Sequence, residues 1–390
     1  MAVDAGDDAA IARAHLVALA SAPRPAGGTE ELRARAYCAE RLRALGFEVS
    51  EEPFAYSTLP GRWATPAIGV LALLVLLAAG QLGAQGAARA SLVLLAAGAA
   101  AIAAASVWLA WRGVLELPLA RAYGVNLEAR PTRHGRTVAP AVWLMAHLDS
   151  KSQPVPMLLR AAGITVAGAS WVALAALAVF SLSRDAEPAA LVGAWRAVTV
   201  VGALALLPVM ATLVGDASPG ALDDASGVAS VLLAAERLGS AAGVGVLLTS
   251  AEELGLAGAR AWVATRNPTE RVPVLNCDGV DDGGELVLMH TGRRPERLLT
   301  LAAAVGASGG PRAGARRLIP GVLVDAVAFA DAGWETLTVS RGTLRTLQRV
   351  HRPSDDLAHL RGDGVPSAAA LLARLAERVV EQQGRANAGG

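Results

Sequence analysis

The chain has 390 residues, 53% of them hydrophobic, and 35 Lys and Arg against 34 Asp and Glu leave a net charge of +1. That length suits one large domain or two ordinary ones, and the near-neutral balance gives no basic surface of the kind that binds nucleic acid. Cys38 and Cys277 are too few for a disulfide framework and leave the redox compartment open.

The opening stretch "MAVDAGDDAAIARAHLVALA" is acidic at its start and lacks a basic segment ahead of an apolar core, so it does not read as a cleaved signal peptide. Residues 8–20 and 29–45 have the spacing of amphipathic helices, with Leu32, Tyr37, Leu42 and Leu45 near one face between arginines. "FEVSEEPFAY" alternates as an edge strand does. After Arg62 and Trp63, "TPAIGVLALLVLLAAGQL" carries no charge. Arg89 follows in a Gly/Ala-rich turn, and "ASLVLLAAGAAAIAAASVWLAW" runs on to Arg112. A second apolar pair, 161–182 and 197–213, is separated by a turn holding Arg184, Asp185, Glu187, Pro188, Trp195 and Arg196. Each run approaches the ~20 apolar residues that cross a bilayer as a helix. Trp63, Trp108 and Trp111 sit at run ends, where interfacial tryptophans gather. Pro208 interrupts the last and weakest run. Ala-rich core helices of a soluble protein are the plainer reading, but four such runs near the ~18-residue threshold are hard to bury. We therefore expect transmembrane hairpins at 64–112 and 158–214. They would divide one catalytic domain into 1–60, 120–154 and 216–384, with a disordered tail at 385–390.

Elsewhere "VAPAVWLMAHLD", "GVGVLLTSAEE", "VPVLNCDG" and "ETLTVSRG" are apolar runs of strand length that end in polar residues, and "SGVASVLLAAERLG" and "SAAALLARLAERVVEQQ" read as helices. This alternation predicts an α/β fold with a mixed, mostly parallel sheet flanked by helices. Ligands in such sheets bind beyond the carboxyl ends of the strands. His147 and Asp149 close the first run, Asp223 and Asp224 precede a helix, Glu252 and Glu253 close the next run, and Asp278 the third. His351 lies in a late loop, with Asp355 four residues on. Two histidines and several carboxylates suit zinc or another divalent first-row metal. Singly each has a bland alternative: a satisfied polar His147, a helix cap at Asp223-Asp224, a solvated Glu252-Glu253 pair, and turn residues at Asp278, Asp281 and Asp282. Their shared order and context favour a metal site.

Five motifs, "HLDS" at 147–150, "GALDDASG" at 220–227, "AEELGLAG" at 251–258, "LNCDG" at 275–279 and "VHRPSDDL" at 350–357, resemble family twenty-eight of the metallopeptidases, the co-catalytic zinc aminopeptidases. The opening "ASAPRPAGGTEELRARAYCAERLRALGFEV" resembles that family too, and the likeness covers most of 10–58 and 120–380. It implies two zinc ions about 3.5–4 Å apart, bridged by Asp223, with His147 and Asp278 completing one site and Glu253 and His351 the other. Glu252 would be the general base, and Asp149 would orient His147. The bond between the residues matching Asp223 and Asp224 is often cis in relatives. Three ligand carboxylates and a bridging hydroxide would balance the two ions. The implied reaction is peptide-bond hydrolysis, releasing an N-terminal residue, with a peptide substrate and a lipid bilayer as partners.

Two departures bear on specificity. Many relatives carry Ser-Asp-His before the last strand, where this chain has Val324-Asp325-Ala326, which puts the substrate pocket in doubt. "HLDSK" is similar to glutaminyl cyclases, which use one zinc, although "DDASG" and both histidines favour the two-metal peptidase. A non-catalytic membrane scaffold would be expected to have lost ligands that this chain keeps. Arg62, Arg112, Arg121, Lys151 and Arg160 flank the apolar runs on the enzyme side, against Arg89, Arg184 and Arg196 in the turns, so positive-inside reasoning favours a cytoplasmic catalytic domain.

Overall fold

The computed structural model describes residues 5–183, 188–319 and 322–388. Runs rich in Val, Leu and Thr, bounded by Gly, Pro or polar residues, extend into strands. They are β1 (Glu48–Ser57), β2 (Arg121–Arg130), β3 (Val142–His147), β4 (Val244–Thr249), β5 (Val274–Val280), β6 (Glu285–His290), β7 (Gly314–Arg317) and β8 (Thr336–Gly342). All join one eight-stranded sheet in the order β1-β2-β4-β3-β5-β8-β6-β7. The central strands β4, β3, β5 and β8 run parallel, while β2 and β6 pair antiparallel with β4 and β8. This is the mixed, mostly parallel sheet expected.

Helices of eight residues or more are α1 (Ala5–Leu19), α2 (Thr29–Ala44), α3 (Thr58–Ala84), α4 (Ala88–Trp108), α5 (Met157–Ser183), α6 (Pro188–Met210), α7 (Ser226–Leu238), α8 (Ala257–Ala264), α9 (Glu296–Ala307) and α10 (Val365–Ala388). The chain forms two compact units. One comprises Met1–Tyr56, Arg121–Ser152 and Asp216–Gly390, and the other Ser57–Ala120 and Gln153–Gly215. Helix α10, whose amphipathic pattern buries Leu371, Leu375 and Val379, continues to Ala388 through the helix formers Glu381, Gln382 and Gln383 and on past Gly384, beyond residue 385 where a disordered tail was expected. Residues 389 and 390 lie outside the described residues.

In the first unit both faces of the sheet are covered. Val142, Leu144 and Ala146 of β3 join a core with α1, α7 and α10, whereas Trp143 and Met145 join Trp262, Phe329 and Trp334 on the other face. A strand buried on both sides has no polar face, and so reads as an unbroken apolar run.

The second unit is four helices. Val75, Leu76, Ala79, Leu95, Leu174, Ala178 and Trp195 form its interior. Trp195 is buried because Gly83 of α3 leaves room: a Cβ there would lie 2.4 Å from the indole ring. Four helical segments, Thr58–Ala84, Ala88–Glu116, Met157–Ser183 and Ala190–Met210, are long and apolar enough to cross a membrane. Trp195 and Arg196 stand inside α6, and not in the turn where the sequence placed them. Arg89 likewise opens α4. Residues 184–187 lie outside the described residues. Pro208 is accommodated within α6, near its end.

Candidate metal centre

The site begins with strand register. Parallel pairing of β3 with β4 sets His147 opposite Thr249, so the chain leaves both strands side by side. The Asp149 carboxylate accepts the backbone N–H of Glu252 at 3.0 Å and of Glu253 at 3.2 Å, capping the short turn that carries the acidic pair. The His147 Nδ1 lies 3.0 Å from the Asp149 carbonyl oxygen and 3.7 Å from its carboxylate. A carbonyl can only accept, so Nδ1 carries the proton and Nε2 is left facing the centre. His147 is thus oriented chiefly by the Asp149 main chain, while the side chain expected for that task holds the turn.

Asp223 and Asp224 sit in the loop entering α7, and the peptide bond between them is cis. Asp355 fixes this loop from the far end of the chain, accepting the N–H of Leu222 at 2.6 Å and of Asp223 at 3.2 Å. Asp224 points away from the centre. It accepts from the N–H groups of Gly227 at 2.9 Å, Gly279 at 3.1 Å and His147 at 3.4 Å, tying three segments together. The helix-cap reading therefore holds for Asp224 and not for Asp223. A Cβ at Gly227 would lie 2.2 Å from Asp224 Oδ1 and 2.5 Å from the Cys277 carbonyl, so only glycine fits there. Buried Arg24 donates to the carbonyls of Leu19, Leu148, Pro219 and Gly220, bracing the same loop against β3.

Asp223 is the hub. Its Oδ1 is 3.1 Å from His147 Nε2 and its Oδ2 is 3.1 Å from His351 Nε2. His351 Nε2 is also 3.2 Å from Glu253 Oε2. Two triads result, His147–Asp223–Asp278 and Asp223–Glu253–His351, each with ligand atoms within 4.8 Å of one another. Glu252 Oε2 stands 4.0 Å from His147 Nε2. The loop bearing His351 is held by two acids that the sequence offered only as turn residues. Asp281 accepts from Thr346 at 2.6 Å and pairs with Arg349 at 2.6 Å, and Asp282 accepts the N–H groups of Arg361, Gly362 and Asp363.

The charges are strongly perturbed. Burial opposes ionisation of every group, and the partners decide the outcome. For His147, Glu252 and the bonds to Asp149 and Asp223 outweigh burial and hold the imidazole well above its usual value. Asp223 lies well below the carboxylate range, because the two histidines overcome burial. Glu253 falls to about 2 as His351 and Lys151 do the same. Glu252 is pushed well above the usual range by burial and by the like charges of Glu253, Asp325 and Asp278, against the pull of His147. Asp278 rises to about 7 through burial and the charge of Asp223. Buried Asp325 accepts from the Thr249 hydroxyl and is pushed up to about 6 by burial.

All seven residues singled out, His147, Asp149, Asp223, Glu252, Glu253, Asp278 and His351, fall in one cluster. Lys151 was read only as a flanking charge, yet its Nζ is 2.7 Å from Glu253 Oε2. In the sequence each follows the end of one of two parallel-paired strands, at His147 and Thr249, by four residues. The donor set of imidazole nitrogens and carboxylate oxygens fits a divalent cation such as zinc. Buried Glu253 Oε1 and His351 Nδ1, both without a hydrogen-bond partner, add capacity that ligation or a bound molecule would use.

Comparison with known proteins agrees. The model of peptidase family M28 matches residues 207–376, the stretch holding four of the five motifs. No curated protein matches the sequence. Among solved structures, the chain is similar to a zinc aminopeptidase from Bacillus subtilis (15% identity, 95% of this chain and 94% of that one, TM-score 0.54). It is similar to an aminopeptidase from Aneurinibacillus sp. strain AM-1 (14%, 95% and 93%, 0.53) and to a glutaminyl cyclase from Fimbriiglobus ruber (14%, 97% and 96%, 0.51). At such identities the structures establish the fold. The family match over residues 207–376 and the shared fold both agree with the resemblance read from the motifs.

Proposed function

We propose that this chain, matched over residues 207–376 by family twenty-eight of the metallopeptidases, is a membrane-anchored aminopeptidase. The observation that carries the reading is one carboxylate, Asp223, shared between two histidine-containing triads. His147, Asp223 and Asp278 would hold one zinc ion and Asp223, Glu253 and His351 a second. Bound zinc supplies a Lewis acid that polarises the scissile carbonyl and makes water nucleophilic at neutral pH. Glu252 takes the proton of the attacking water and returns it to the leaving amine, a role supported by its carboxylate standing 4.0 Å from His147 Nε2 at the edge of the cluster. Asp149 aims Glu252 and Glu253 through their N–H groups, and Asp355 sets Asp223 through the backbone. Four long apolar helices support the anchor, and the arginine and lysine bias on the enzyme side of the apolar runs favours a cytoplasmic catalytic unit.

The test is zinc content of the purified protein together with hydrolysis of a panel of aminoacyl-amides. Glu252→Gln should keep its metal and lose about 10²–10⁴-fold in rate; full activity in that variant would contradict the mechanism. A second reading, cyclisation of N-terminal glutamine on a single zinc, is favoured by the His-Leu-Asp-Ser-Lys run and by the glutaminyl cyclase fold likeness. Cyclisation without amide hydrolysis would select it. Protease protection of the catalytic unit in inside-out versus right-side-out vesicles tests the sidedness, and cleavage from outside would sink the cytoplasmic placement.

A further inference from the structure

We propose that the edge of the sheet unit carrying the metal centre lies on the bilayer surface, and that its substrates are the N-termini of peptides anchored in that same bilayer. The substrate assignment rests on the membrane-anchored aminopeptidase reading above, and the placement of the edge rests on how the chain is connected. The chain leaves the sheet unit after Tyr56 and Ser152 and re-enters it at Arg121 and Asp216. Ser152 follows the end of β3 by five residues, and its hydroxyl accepts the N–H of Ala217 at 2.9 Å. The Ser150 hydroxyl donates to the Ser218 carbonyl at 2.9 Å, so the outgoing and returning segments run side by side there. The other two crossings lie at the same edge. Strand β2 runs antiparallel to β4 with Leu127 beside Leu248, so residues 121–125 overhang the carboxyl end of β4. The end of β1 lies beside the start of β2, where the Thr58 N–H donates to the Ala120 carbonyl at 3.0 Å. All four crossings are thus at the carboxyl ends of β3 and β4, where His147, Glu252 and Glu253 stand.

The connections are also short. Met157 opens α5 five residues after Ser152, a length of chain that spans at most ~18 Å. Strand β1 runs into α3 with no linker at all. Crossings at the opposite ends of the strands would set the centre farther from the apolar helices by the six residues of β3, or ~20 Å. The surface of this edge agrees. Tyr123 and Leu344, 75% and 74% exposed, are the most exposed large apolar side chains of the sheet unit among the described residues. Tyr123 stands on the β2 overhang. Leu344 follows the end of β8 by two residues, in the segment that leads to His351, and β8 is parallel to β5. Leu323, also exposed, lies two residues before Asp325, which accepts from Thr249 at the end of β4. Exposed apolar side chains on one edge, an amphipathic tyrosine among them, suit the boundary between headgroups and water. A peptide tethered in the bilayer then meets the centre at a raised local concentration.

The test uses the full chain reconstituted in phosphatidylcholine vesicles. Tyr123→Cys and Leu344→Cys put a fluorophore on the metal-bearing edge, and Ala241→Cys, three residues before β4, puts one on the opposite edge. Native Cys38 and Cys277 are buried, away from the labelling reagent. Lipid with a nitroxide on its headgroup should quench the first two labels and leave the third bright. Melting curves show which labelled variants are folded, and either position on the metal-bearing edge suffices. A second arm uses peptides ending in a lipid anchor. A free N-terminus about ten residues from its anchor reaches at most ~35 Å, the length of chain that joins His147 to Met157. It should be hydrolysed no more slowly than one about thirty residues out, and about tenfold or more faster than the same peptide untethered. No quenching of the first two labels, or equal quenching of the third, overturns the placement. Equal rates for tethered and free peptide, or a short tether cut about tenfold more slowly than the long one, overturn the substrate assignment. Hydrolysis of no peptide at all, with the quenching pattern intact, would instead bring down the aminopeptidase reading and the substrate assignment with it.

Discussion

The two units of this chain are both rich in Leu, Val and Ala, and they turn those side chains in opposite directions. In the sheet unit Leu127, Leu144, Leu247 and Leu337 are fully buried, and the interior also holds His147, Asp149, Asp224, Glu252 and Glu253. In the helical unit Leu74, Val93, Val172 and Leu204 point outward, and interior Ser170 bonds to the Val166 carbonyl of its own helix. One unit is an apolar shell around charge. The other is an apolar surface around small and aromatic side chains, the arrangement expected where lipid replaces water. Composition alone does not separate them; the placement of charge does.

Matched substitutions break or sharpen this contrast. Leu204 and Leu32 are similarly exposed, one in each unit. Leu204→Lys should cost about 2.5–3.5 kcal/mol of membrane integration, whereas Leu32→Lys should change stability by less than about 0.5 kcal/mol. The fraction of chain resisting carbonate extraction and the melting of the solubilised protein measure the two, and equal effects would break the contrast. Next in size, Gly227→Ala pushes a methyl into Asp224 and the Cys277 carbonyl. It should destabilise the catalytic unit by about 1–3 kcal/mol and release bound zinc at lower temperature, leaving membrane integration as it was. Unaltered melting and metal retention would show that the loop around Asp224 yields.

The smallest effect concerns pH. Burial, then the charge of Asp149, pushes Glu31 up to about 7 from an ordinary 4.5. The folded protein therefore keeps a proton that the unfolded chain has released. The contribution of this group to stability is present below the unfolded value and is lost as pH rises through the folded one. From about pH 5.5 to 6.5 the loss from this group should approach about 1 kcal/mol, and Glu31→Gln should make the slope shallower by that amount, leaving the share of Asp278 and Asp325. A slope unchanged by the substitution would assign the effect elsewhere.

The parts legible in sequence were those set by local rules. Apolar runs ending in His147, Glu252 or Asp278 mark parallel strands and their polar ends, and four apolar stretches are long enough for membrane-crossing helices. What stayed hidden depends on long-range geometry. Lys151 is remote from Glu253 along the chain and meets it only where the segments following β3 and β4 come together in the fold. Asp355 looked like a residue of the His351 loop, yet it acts on the backbone of Leu222 and Asp223. The sequence places Trp195 in a turn beside Arg196, and its burial follows from the notch at Gly83 on another helix.

The interleaving of the units has a further consequence, one of timing. His147 is synthesised before the second pair of long helices and Asp223 after it, while Asp278 and His351 come later still. Strand β3 emerges long before its neighbours β4 and β5. The nascent chain thus carries a lone histidine on an unpaired strand while the apolar helices are being made. On the proposed function, hydrolytic competence would arrive only when the last loop is complete, so an immature chain would have no working site with which to cut its surroundings.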